Sequence, residues 1–237
     1  MTTPRVLLAL HTSDPTGSVA IAQGAQVVSH EFVAAGPRAP VVLHEILRGL
    51  EAAGVGLEAC EAVAVTNGPG SFTGIRIGLA TVQGLAAART WPVYVGESHA
   101  AHAAIWHGLE ELLAVVFDAR RGEVYAALYD VREARPRVRV EPFCATPAAA
   151  LARLVAAAAG AGLGIAVCGS GAGLVTAAAP AAPLRLLGAP AVTVATGLVR
   201  LARAGGCRLL APRDLEPNYL RKSDAELQRE QFRAERA

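Results

Sequence analysis

Charge is scarce in this chain, and the familiar short motifs for chemistry are absent. Only 18% of its 237 residues are charged and the formal net charge is +2, too small to imply a surface built for general electrostatic capture of RNA. Cysteine is limited to Cys60, Cys144, Cys168 and Cys207. They lie far apart with no C-x-x-C pair, so they read as small buried hydrophobes in a reducing compartment, and no disulfides are expected. No H-E-x-x-H, H-x-E-x-H or G-x-S-x-G occurs, which leaves a hydrolase with its own metal or serine no visible means. The start, MTTPRVLLALHTS, has a short apolar run and then turn residues. Neither a signal peptide nor a membrane span is expected there, and the expected location is the cytoplasm.

What the chain has is apolar bulk. With 53% hydrophobic residues, it is long enough and greasy enough for one large domain or two modest lobes, and disorder is excluded on composition. Arg5 to His11, the turn Asp14-Pro15-Thr16-Gly17, and Ser18 to Ala22 predict a strand meander ending near Val33. Val42, Ile46, Leu47 and Leu50 stand at helical spacing, which predicts a helix over 41–53 stopped by Gly54. Ala62 to Thr66 reads as a buried strand, Val93 to Val95 as another, and Ser98 to Trp106 as a helix.

From Leu112 the plan repeats in outline. The first series runs strand, His11-Thr12-Ser13, turn, Gly17; the second runs strand, Asp118-Ala119-Arg120, turn, Gly122, then Glu123 to Ala126. A strand at 164–168, a Gly-rich segment from Gly169 to Gly173, and a helix at 193–204 follow. Two α/β lobes on one plan are predicted, 1–108 and 109–212, with a tail at 213–237. The Ala-rich stretch 147–162 reads as a surface helix and loop.

The segment NGPGSFTGIRIGLATVQGLAAA, Asn67 to Ala88, stands out because it joins a Gly-rich turn to a helix whose only charge from Gly74 onward is Arg76. Ile75, Leu79, Val82 and Ala86 make an ordinary core stripe. Beside it Gly74, Gly78, Thr81, Leu85 and Ala88 leave the backbone nearly bare, so a second element can approach closely. Gly68, Gly70 and Ser71 sit where backbone N–H groups cradle a phosphate in other proteins. The P-loop Gly-Lys-Ser/Thr is missing, however, and the plainer reading is a tight turn with Ser71 or Thr73 as the N-cap. Gly169 and Gly171 make a second weak nucleotide-loop candidate.

His99 and His102 lie three apart with no Cys or carboxylate at helical spacing beside them, so ordinary surface histidines, and no metal site, are expected. Arg132, Arg135, Arg137 and Arg139 read as a solvated edge strand protected by charge.

GPGSFTGIRIGLATVQGLA at 68–86, VFDARRGEVYAALYD at 116–130 and PNYLRKSDAE at 217–226 together resemble the TsaB family, also called YeaZ. The resemblance implies a two-lobed fold of the actin, hexokinase and heat-shock-protein ATPase (ASKHA) superfamily, with duplicated ribonuclease-H-like lobes. It also implies a role without catalysis of its own, as partner of TsaD, the metal-dependent subunit that transfers a threonylcarbamoyl group to tRNA beside the anticodon. TsaE, an ATPase, joins that pair, and TsaB-like proteins pair through first-lobe helices with TsaD or with themselves. On that basis Gly74, Ile75, Gly78, Leu79, Thr81, Val82 and Leu85 are the expected partner contacts. No cofactor of its own is implied.

Two departures from the family pattern matter. The first strand ends in His11-Thr12-Ser13 where Asp-Thr-Ser is usual, and neutral His is no substitute for a hard oxygen ligand to magnesium. Arg38-Ala39-Pro40 stands where His-Ser-Glu or a similar run is common. The competing readings are an independent ATP-binding phosphotransferase or ATPase of the same superfamily and, less favoured, a peptidase.

Overall fold

In the computed structural model, which describes residues 4–33 and 41–221, the first strand β1 (Val6–His11) is buried along its whole length. A strand covered on both faces reads as a continuous apolar run, and VLLALH is one. It pairs antiparallel with β2 (Thr16–Gln23), which pairs antiparallel with β3 (Gln26–Val33). On its other side β1 runs parallel to β4 (Ala62–Thr66), and β4 runs parallel to β5 (Val93–Gly96).

The side-chain alternation of the strands divides the work between two faces. Leu8, Leu10, Val63 and Val65 point to one core, with Ile46 of α1 (Val41–Ala52) and Ile75, Leu79 and Val82 of α2 (Phe72–Arg89). The opposite face is dominated by small residues, Ala9, Ala20, Ala22, Ala62 and Ala64, with Leu7 among them. That thin face lets two helices lie close to it, α3 (Ser98–Ile105) and a later one, α6 (Val194–Arg203). A Cβ on Gly197 of α6 would overlap the Ala101 carbonyl of α3, so the two helices cross at near backbone contact.

The second lobe repeats the order. β6 (Leu112–Arg120), β7 (Glu123–Asp130) and β8 (Arg137–Ala145) form a meander, and β9 (Ile165–Cys168) and β10 (Leu184–Leu186) add parallel strands. Five strands of the first sheet run β5-β4-β1-β2-β3, with a sixth, late strand beyond β5, and the second sheet runs β10-β9-β6-β7-β8, so the five-strand path occurs twice. α4 (Pro147–Ala158) and α5 (Ala172–Ala178) cover one face of the second sheet, while the other, carrying Leu113, Val115 and Phe117, meets Ala103 of α3. α3 therefore packs between the sheets.

The domain expectation meets one difference. The segment 194–210, expected in the second lobe, returns to the first: α6 seals the alanine face, and β11 (Arg208–Leu210) pairs antiparallel with β5. Its apolar stripe of Val194, Leu198, Val199 and Leu201 complements that face, a match between residues well over a hundred positions apart. The stretch 147–162 is a helix to Ala158 and then a loop, as expected, but the helix buries Ala150, Leu151, Leu154 and Ala158, so only its other side is surface. The basic cluster behaves as expected for an edge: β8 ends the second sheet, and Arg132 and Arg139 both bond Asp130. Arg38-Ala39-Pro40 and the tail beyond Arg221 lie outside the described residues.

Candidate functional site

Helix α2 begins at Ser71, whose hydroxyl accepts from Gly74 N–H at 3.3 Å and caps the first turn. The glycines around it admit the β1–β2 turn of the same chain. A Cβ on Gly74 would strike the Thr12 carbonyl, one on Gly78 the Thr12 hydroxyl, and one on Gly70 the Ser13 carbonyl. Thr12 Oγ1 donates to the Gly74 carbonyl at 2.7 Å, and Ser71 N–H donates to the Ser13 carbonyl at 2.7 Å. Gly68, at φ +113°, leaves room for the Asn218 carbonyl.

Of the seven residues expected at a partner contact, Gly74, Ile75, Gly78, Leu79 and Val82 are buried within the chain, the glycines beneath Thr12 and the others in the first core. Thr81 and Leu85 are half-buried. The exposed residues of α2 are Thr73, Arg76, Ala80, Gln83, Gly84, Ala87, Ala88 and Arg89. Part of α2 is bordered by the chain's own C-terminal segment. Tyr219 stacks on Phe72 with ring centroids 4.0 Å apart and accepts from Arg76 Nε at 2.8 Å, and Gln83 donates to the Pro212 carbonyl at 3.1 Å. Asn218 N–H meets the Asn67 carbonyl at 2.7 Å, and Asn67 Nδ2 returns a bond to the Glu216 carbonyl at 3.1 Å.

The second Gly-rich loop has the same construction. Gly169, at φ +100°, takes the Val116 carbonyl where a Cβ would stand, and Gly171 lies against the Phe117 backbone. Gly171 N–H donates to the Val116 carbonyl at 2.9 Å, and Asp118 N–H donates to Ser170 Oγ at 3.2 Å. In both lobes the glycines let the end of the first strand pass close to the loop after the fourth.

The histidines depart most from expectation. His99 is fully buried and His102 nearly so, its side chain 12% exposed. They are not surface residues, because α3 packs between the two sheets. His99 Nδ1 lies 3.0 Å from Glu97 Oε1, its Nε2 faces the Tyr125 carbonyl at 3.3 Å, and its ring stacks on Phe117 at 4.2 Å. Tyr129 donates to Glu97 Oε2 at 2.7 Å. Burial alone would raise the Glu97 carboxyl, but bonds with His99 and Tyr129 hold it below its ordinary value. Burial and the adjacent carboxylate push the Tyr129 phenol well up.

One turn along α3, His102 Nε2 meets Asp14 Oδ2 at 2.8 Å, and the same oxygen is 3.3 Å from His11 Nε2. His11 Nδ1 in turn meets Thr66 Oγ1 at 2.9 Å. Burial would raise the Asp14 carboxyl, but its bonds with His102 and His11 hold it well below the usual carboxylate range. Burial lowers His102 despite the carboxylate beside it. In the sequence Asp14 reads as a turn former. Nothing in local spacing tells that it faces a helix 88 residues away.

Two lobes of one topology, each an antiparallel meander extended by parallel strands, make this an α/β protein of the actin-like ATPase fold class. Component A of (R)-2-hydroxyglutaryl-CoA dehydratase from Acidaminococcus fermentans shares that fold at a TM-score of 0.52 and 9% identity, over 85% of this chain and 98% of that one. The family model for TsaD, tRNA N6-adenosine threonylcarbamoyltransferase, matches residues 39–183. YeaZ from Pseudomonas aeruginosa is 30% identical with a TM-score of 0.76, covering 91% of this chain and 99% of that one. The tRNA threonylcarbamoyladenosine biosynthesis protein TsaB of Bacillus subtilis (strain 168) is 31% identical over 131 residues, 53% of this chain and 56% of that protein.

The chain belongs to the TsaB (YeaZ) family. It spans about half the length of the curated relatives it matches. Among the described residues, no helix is long and apolar enough to cross a membrane.

Proposed function

We propose that this chain acts in the synthesis of threonylcarbamoyladenosine beside the anticodon of tRNA, as a subunit that activates a catalytic partner. The carrying observation is the likeness to YeaZ, which extends over 99% of that chain rather than over one motif. On this reading it pairs with a TsaD-like transferase, recruits a TsaE-like ATPase to the pair, forms a homodimer when alone, reaches tRNA only through the complex, and works in the cytoplasm. The reading calls for no catalytic cofactor of its own.

The pairing surface follows from exposure. The outward face of α2 carries a line of small side chains, Ala80, Gly84, Ala87 and Ala88, flanked by Arg76 and Gln83, which bond the chain's own Tyr219 and Pro212, and ended by Arg89. Small residues let a second helix come close, and such a contact gains packing without large side-chain entropy loss. Thr81 and Leu85 lie at its border.

Two features support a subunit without phosphate chemistry. Ser71 N–H and Gly171 N–H, which a phosphate loop would aim at its ligand, are engaged by the Ser13 and Val116 carbonyls. His11 stands where a hard oxygen ligand would hold magnesium. Reconstitution of threonylcarbamoyl transfer with TsaD and TsaE, with and without this chain, tests the reading. Equal turnover in its absence overturns it.

A further inference from the structure

We infer that His11, Asp14 and His102 form a binding site for a zinc-type divalent cation at the turn between β1 and β2. One ligand atom from each of the three lies within 4.8 Å of the others. In a tetrahedral zinc site with bonds near 2.1 Å, neighbouring ligand atoms stand about 3.4 Å apart. The two spacings from Asp14 Oδ2, 2.8 Å to His102 Nε2 and 3.3 Å to His11 Nε2, need only a small outward shift to admit the ion.

Ligand chemistry selects the metal. Two imidazoles and one carboxylate suit zinc, cobalt, nickel or copper, whereas magnesium and calcium require oxygen-rich shells. The surrounding shell fits as well: His11 Nδ1 faces Thr66 Oγ1 at 2.9 Å, the kind of second contact that leaves Nε2 for the metal and fixes the ring. Thr66 is itself held by Ser13 Oγ at 3.2 Å. The Phe117 ring packs edge-on against His102 at 4.7 Å and limits its rotation.

The two rings already converge on the carboxylate, with centroids 5.6 Å apart in an edge-to-face arrangement. Asp14 and His102 keep 14% and 12% of their side-chain surface exposed, which leaves an entry path and a fourth position for water or a ligand oxygen. The site joins β1 and the turn after it to α3, so occupancy ties the first hairpin to the helix between the lobes.

The test uses the full chain stripped with a chelator. Calorimetry with zinc is expected to give about one equivalent bound, with a rise in Tm. Cobalt in its place is expected to give the visible absorption of a four-coordinate ion, and magnesium no saturable heat. His102→Gln and Asp14→Asn are expected to lose the equivalent and the Tm rise, while the exposed control His107→Ala keeps both. A readout independent of variants is the long-range nitrogen NMR of the six histidine rings, where zinc must shift the His11 and His102 signals. No saturable zinc binding, binding insensitive to the Asp14 and His102 variants, or a shift confined to other histidines overturns the assignment. None of these readouts involves threonylcarbamoyl transfer, so their failure leaves the proposed function standing.

Discussion

Asp14 and His102 stand 88 residues apart in sequence and meet at 2.8 Å, carboxylate oxygen to imidazole nitrogen. The contact latches the first β-turn to α3, the helix that both lobes bury. It also explains why two histidines on a short alanine-rich helix are not at the surface. Helix α3 has a sheet on either side, and His99, His102 and the capping Glu97 each find a partner within the chain, while the buried Ser98 hydroxyl has none among the described residues.

The α2 glycines separate fold from pairing. Gly74→Ala places a methyl on the Thr12 carbonyl and is expected to cost about 1–3 kcal/mol in urea unfolding. Gly84, with nothing within 4 Å, is an exposed glycine inside a helix. Gly84→Ala is expected to stabilise by about 0.5–1 kcal/mol.

A bulky side chain at Gly84 is expected to leave folding intact and weaken binding to a TsaD-like subunit by tenfold or more, about 1.4 kcal/mol, in a titration. Unchanged affinity moves the pairing surface off this face of α2. The same substitution at Gly78 is uninformative about pairing, because it collides with Thr12 first.

Glu97 sets a pH signature. Its carboxyl is held below its ordinary value in the folded chain, so its stabilisation is present above the unfolded-state pKa of about 4.3 and is lost as pH falls through the folded value. Stability measured by urea unfolding is expected to decline below about pH 4, and Glu97→Gln to show a flatter acid limb.

The two buried thiols are expected to be inert in the native state. Burial pushes Cys168 up to about 12 and Cys60 up to about 11, so little thiolate exists at neutral pH. A thiol reagent should label these two only as fast as the chain unfolds, which a denaturant series measures. Fast native labelling of Cys168 contradicts its burial.

Magnesium-ATP is expected to give no saturable heat in calorimetry with the isolated chain, since Ser71 N–H and Gly171 N–H are already committed. A clear one-to-one isotherm favours the independent ATPase reading.

Much of the fold was legible because its signals are local. β4 falls at 62–66 as read, α1 at 41–52 against 41–53, and Ser71 caps α2. The duplicated hairpins were legible from the echo of His11-Thr12-Ser13 in Asp118-Ala119-Arg120. The helix–strand alternation, the small residues of α2 and the turn glycines were likewise written in nearest-neighbour chemistry.

What the glycines are for was not legible. A bare helix surface reads alike whether a partner or the chain's own turn fills it, and only the tertiary structure placed Thr12 on Gly74 and Gly78. The return of α6 and β11 to the first sheet rests on complementarity between an alanine face and an apolar stripe distant in sequence. The meeting of His11, Asp14 and His102 has the same origin. Backbone periodicity is encoded within a few residues and so belongs to the sequence by itself; contacts made after long loops close depend on how whole surfaces fit, which only the folded chain decides.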